Sequence, residues 1–217
     1  MIRKVVGIYY SPEGGTAKMA EMLSDDIAMR LREHCPDEIE TLCCNIEDIS
    51  ELPELGPETV VLIAMPVYMG KIPLPGIKAM RNIAGESAMT LALVSYSGRS
   101  FGNALYELKE YASDRGFEPI GAGAFAISYG AVRGSARPGS LAMDTEALSD
   151  FGKASTAKIM RLGGCDIDGL RIKPAPLEVK GNMPWHGISR LSPKAAELAQ
   201  GLMDMITFRR KESEWFL

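Results

Sequence analysis

The stretch VVGIYYSPEGGTAKMA, residues 5–20, decides the fold. Val5 to Tyr10 is a β-rich run that stops at Ser11-Pro12-Glu13-Gly14-Gly15-Thr16. A helical pattern follows, with Ala20, Leu23, Ile27 and Leu31 at three- and four-residue spacing. A strand that turns through glycines directly into a helix is the opening unit of an α/β sheet.

The chain beyond repeats that unit. Ile39 to Cys44 reads as a second strand, and Thr59 to Met65 (TVVLIAM) is apolar nearly throughout, as a strand covered on both faces must be. Pro75 begins a short helix through Ile83. Ala88 to Tyr96 is another buried-type strand. Asn103 to Arg115 fits a helix with Leu105, Leu108 and Ala112 inward, closed by Gly116. Pro119 to Ile127 is a weaker, glycine-bearing strand. A last helix starts from an Asp144 cap and carries Leu148, Phe151, Ser155, Ile159 and Leu162 on one stripe. The fold class is therefore α/β, with five strands in a parallel sheet and helices on both faces over residues 1–164.

Residues 165–191 lack periodicity and read as an irregular tail packed on the domain. Ser192-Pro193 caps an expected C-terminal helix with Ala195, Leu198, Leu202 and Met205 on one face, so that 192–217 are a helix and its end. Trp215-Phe216-Leu217 reads as packing within its own domain with a frayed end, with a dimer contact or a docking peptide as the alternatives. Residues 129–141, which hold Arg133 and Arg137 among glycines, read as a mobile lid or partner surface, or equally as a simple exposed loop.

Composition narrows the class. The chain has 217 residues, 46% apolar and 24% charged, which excludes disordered and fibrous proteins. No apolar run approaches membrane-spanning length. The N-terminal strand reaches its loop too soon for a secretion signal. A formal charge of −4 argues against nucleic acid as a partner. Cys35, Cys43, Cys44 and Cys165 form no C-x-x-C pair, and with only His34 and His186 there is no zinc or iron–sulfur ligand set. The expectation is a cytoplasmic protein with reduced structural thiols.

Ligands of an open parallel sheet sit beyond the carboxyl ends of the strands, where the strand order reverses. Three loops lie there. In the first, Gly14 and Gly15 let the backbone curl, the next helix offers its positive end, and Ser11 and Thr16 add hydroxyls; the set suits a phosphate monoester. It matches neither the P-loop nor the dinucleotide fingerprint. The second is Pro66-Val67-Tyr68-Met69-Gly70-Lys71, where Tyr68 offers a flat plate and Gly70 a close backbone approach. The third is Ser95-Tyr96-Ser97-Gly98-Arg99-Ser100-Phe101, with glycine beside aromatic and hydroxyl residues and Arg99 as a charge. Together they describe a site for a phosphate tethered to a flat heteroaromatic ring.

These motifs resemble the flavodoxin-like family, specifically the flavodoxin half of ferredoxin-fused flavoproteins. The matching residues are YYSPEGGTAKMAE at 9–21, MPVYMGKIPLPGIKAM at 65–80, SYSGRSFGNALYELKEYASDRGFEPIGAGAF at 95–125 and, more weakly, GNMP at 181–184. The resemblance implies a three-layer sandwich with strand order 2-1-3-4-5 and non-covalent FMN at the switch point; flavodoxins are the standing example of that rule. It places the phosphate on Ser11, Gly14, Gly15 and Thr16, and the isoalloxazine between loops 66–70 and 96–101, with Tyr68 stacking. Glu13 departs from the threonine of many flavodoxins and must point outward or offer only its backbone N–H. The ferredoxin module of the fused relatives is absent after Ser192.

The resemblance implies an electron-transfer flavoprotein that exchanges electrons with a redox protein, either ferredoxin-like or a reductase. The alternatives are an FMN-dependent oxidoreductase of the NAD(P)H or quinone type, and a flavodoxin-like interaction domain without cofactor. A second copy of the chain is a further candidate partner.

Overall fold

The computed structural model describes residues 1–35, 38–48, 52–97, 100–131, 138–165, 171–183 and 213–217. The opening unit is as the sequence reads: β1 (Lys4–Tyr9) turns through the glycine loop into α1 (Gly15–Arg32). Then come β2 (Glu40–Asn45), β3 (Thr59–Pro66), α2 (Leu74–Met80), β4 (Met89–Tyr96), α3 (Ala104–Asp114) and β5 (Glu118–Ala131). Two elements follow before the tail, β6 (Pro138–Met143) and α4 (Thr145–Arg161); the chain ends in β7 (Glu214–Phe216). Strands β1 to β5 pair in parallel in the order β2-β1-β3-β4-β5.

Every residue of β3 and β4 is buried, because helices cover both faces of the sheet's middle. On one face Met19, Leu23, Ile27 and Leu31 of α1 pack with Leu148, Phe151 and Ile159 of α4. On the other, Ile77 and Met80 of α2 pack with Leu105, Leu108 and Ala112 of α3. The result is three layers. The ends follow local chemistry. The Asp144 side chain caps α4 by accepting the Ala147 N–H at 3.0 Å, and Gly116 closes α3 with φ +80°.

The structure corrects four expectations. The fifth strand does not stop at Ile127 but runs on to Ala131. There β6 pairs with it antiparallel, so the described parts of 129–141 are strand rather than plain loop. Arg133 and Arg137 lie outside the described residues. The C-terminal end packs on its own domain as expected, but as a strand rather than a frayed end: β7 pairs antiparallel with Ala122–Ala124 of β5. Its Phe216 joins the α2/α3 core and Leu217 the α1/α4 core. The helix expected from Ser192 lies outside the described residues. Finally, not all thiols are reduced: Cys35 and Cys165 form a disulfide with Cα atoms 4.9 Å apart. Parallel helices α1 and α4 lie side by side on one face, so the residues just past their C-termini adjoin.

Residues 171–183 form no helix or strand. Arg171 pairs with Glu118 at 3.0 Å, Val179 is buried in the α2/α3 core, and Asn182 accepts from the Asn103 amide at 2.6 Å. No helix among the described residues is long and apolar enough to cross a membrane.

Candidate functional site

Parallel pairing aligns the carboxyl ends of β1, β3 and β4, and the three glycine-bearing loops therefore meet at one rim. They line a cleft with about 330 Å³ of empty space, its open mouth included. Its walls are Ser11, Pro12, Glu13, Gly15 and Thr16 from the first loop and Pro66, Val67 and Tyr68 from the second. Ser95, Ser97 and Ile127 complete it.

The first loop is a donor cradle. Gly14 adopts φ +83° immediately before α1, a left-handed conformation that glycine takes without penalty. The first amide groups of a helix have no partners within it. The Ala17 N–H is met by Ser11 Oγ at 3.0 Å, which uses a lone pair of Ser11 and not its proton. Thr16 is buried, and its hydroxyl shares a 2.7 Å hydrogen bond with Ser95 Oγ across the cleft floor. One of those two hydroxyls donates to the other, so one proton of the pair remains to be given. Glu13 is exposed at the mouth.

The second loop is a tight hairpin. Tyr68 and Lys71 exchange backbone hydrogen bonds of 2.9 and 3.2 Å around Met69 (φ +54°) and Gly70 (φ +75°). Two successive positive φ values define a type I′ turn. The Val67 N–H donates to the Ser95 carbonyl at 2.9 Å, which ties this loop to the end of β4. In the third loop Ser95 and Tyr96 are buried while Ser97 and Ser100 are exposed. Tyr96 packs edge-on against half-buried Phe101, with ring centroids 5.7 Å apart. Gly102 (φ +54°) approaches Gly70 so closely that a Cβ on it would lie 2.7 Å from the Gly70 Cα.

Of the residues singled out in the sequence, the cleft thus gathers Ser11, Glu13, Gly15, Thr16, Pro66, Val67, Tyr68, Ser95 and Ser97. Gly14, exposed at the start of α1, turns the chain from the first loop into the helix. Met69, Gly70, Tyr96 and Phe101 stand outside its lining: the first two form the hairpin tip, and Tyr96 belongs to the α2/α3 core. Gly98 and Arg99 lie outside the described residues. Ile127 was missed, although strand five ends at the same rim as its neighbours and its carboxyl end could have been included on that ground. Behind the cleft, burial and then the Glu47 charge raise the Tyr10 phenol above its ordinary range. Cys43 on β2 is pushed up to about 12, first by burial and then by the Glu21 carboxylate. A thiol so held is a poor nucleophile.

The donor set suits an FMN phosphate: the remaining amides at the α1 N-terminus, a left-handed glycine and hydroxyls with protons to give. It brings no Lys or Arg of the first loop to the cleft lining.

No family model matches the chain, and no curated protein does. Solved structures do. A flavodoxin from the domain Archaea is 18% identical with a TM-score of 0.51, covering 72% of this chain and 99% of that one. The rubredoxin:oxygen oxidoreductase of Desulfovibrio gigas is 17% identical with a TM-score of 0.48; the alignment covers 73% of this chain and 36% of that one. An NADH:FMN oxidoreductase in its apo form is 16% identical with a TM-score of 0.48, covering 79% and 95%. The fold of this chain is flavodoxin-like, with β6 and β7 added at one edge.

Proposed function

We propose that this chain binds FMN in the cleft between its three loops and acts as an electron carrier for a protein partner. The observation behind the reading is the convergence of the α1 N-terminus, the Ser11, Thr16 and Ser95 hydroxyls and the Tyr68 hairpin on one cleft. FMN, when bound, supplies one- and two-electron chemistry. The chain's part is to bind and orient. The Gly14-Gly15-Thr16 turn receives the phosphate, while the Tyr68 hairpin and the 97–101 loop receive the ring. Among the described residues, half-buried Tyr68, Met69 and Phe101 beside exposed Ser97 and Ser100 leave the rim open, which suits electron exchange at a protein surface more than hydride transfer in a closed chamber.

The phosphate cradle is tested by comparing FMN with riboflavin. FMN should bind more tightly, and its advantage should grow as pH rises through the second phosphate ionisation near ~6. Removing a hydroxyl in Ser11→Ala or Thr16→Val should weaken FMN by roughly 10- to 100-fold each, at ~1.5–3 kcal/mol per charge-assisted bond. Riboflavin binding should hardly change. Equal loss for both ligands would place the phosphate elsewhere.

A further inference from the structure

Glu107 is a carboxylate with no solvent exposure, and the cradle and cleft described above do not use it. It lies in the first turn of α3, where the helix dipole favours a negative charge. Its Oε2 accepts the backbone N–H of Ile72 at 3.0 Å, two residues past the tip of the Tyr68–Lys71 hairpin. From the same helix end, the Asn103 N–H donates to the Gly70 carbonyl at 2.9 Å. The N-terminus of α3 therefore grips the hairpin's returning arm on both sides of Lys71.

That grip coincides with strain. Met69 is not glycine, yet it sits at φ +54°. Left-handed backbone in an ordinary residue persists only where its surroundings over-determine it. Burying a carboxylate is also costly unless its hydrogen bonds are made. A buried carboxylate that holds the arm just past a left-handed Met69, beside the cleft, marks a device that holds a shape.

We propose that Glu107 is the positioning residue of this hairpin. Its buried carboxylate fixes the Tyr68–Lys71 turn in the conformation that receives the flat ring, and without it the turn relaxes and ring binding weakens. The ring's identity rests on the FMN reading above; the clamp itself does not.

The test pairs amide exchange on the cofactor-free protein with FMN titration, for wild type, Glu107→Gln, Glu107→Leu and Gly102→Ala. Gln keeps an acceptor oxygen and should preserve slow exchange at Tyr68, Lys71 and Ile72 and near wild-type FMN affinity. Leu should speed exchange at those amides and weaken FMN at least about tenfold, with β1 and β3 exchange unchanged. Gly102→Ala unseats the hairpin from the surface through its contact with Gly70, and should match the loss of affinity even if the Leu variant fails to fold. Slow exchange in the Leu variant, or fast exchange with unchanged FMN affinity, overturns the proposal. A Gln variant as impaired as Leu does the same. Wild-type protein that ignores FMN would sink the cofactor assignment instead, and exchange alone would then decide the clamp.

Discussion

Glu13 is the residue at which this chain departs most from a phosphate site. It is exposed at the cleft mouth, so its charge is felt by a phosphate mainly through water. Replacing it in Glu13→Gln should tighten FMN by about two- to fivefold at low salt, with the gain fading at high salt. A titration series in ionic strength checks this. Cys43 gives a second expectation. Its folded-state pKa of about 12 lies above the 9.0 of a free thiol, so the folded protein holds the proton longer than the unfolded chain does. Stability from this group is therefore complete below pH 9.0 and lost as pH rises toward about 12, a slope that Cys43→Ala should flatten in alkaline melts. At this scale the sequence shows which residue types stand at the rim, because glycines and hydroxyls after strands are visible as such. It does not show partnership. The bond between Thr16 and Ser95 spans 79 residues, and the burial of Tyr96 follows from which face of β4 it occupies.

Among elements, β3 and β4 were legible because both faces are covered, which writes an unbroken apolar run into the chain. Helices α1, α3 and α4 were legible by spacing and caps. Strands β6 and β7 were not: both are short antiparallel edge strands whose existence depends on hydrogen bonds to β5. Deleting residues 213–217 should strip Phe216 and Leu217 from the two cores and cost about 2–3 kcal/mol. Amide exchange at Ala122–Ala124 should rise with it. The Cys35–Cys165 bridge was equally hidden, since its partners are 130 residues apart and meet only because α1 and α4 run side by side. A closure of that length restricts the unfolded chain by roughly 3–5 kcal/mol. Reduction, or Cys35→Ser with Cys165→Ser, should lower the melting temperature by roughly 6–20 °C. An unchanged melt would show that the bridge contributes nothing.

For the whole molecule, the arrangement separates structure from chemistry. The amino ends of the strands and the tails beyond α1 and α4 carry the bridge, whereas the carboxyl ends carry the glycine loops and the cleft. On the proposed carrier reading, the net charge of −4 calls for a partner with a basic face and for association that weakens with salt. Whether the cleft takes FMN is decided by titrating FMN into the purified protein in phosphate-free buffer and following the flavin's fluorescence. Saturable quenching at one FMN per chain, abolished by Gly14→Val while the melting temperature stays within a few degrees, is the predicted result. Fluorescence that falls no further than with an unrelated protein, or saturation that survives Gly14→Val unaltered, would contradict it.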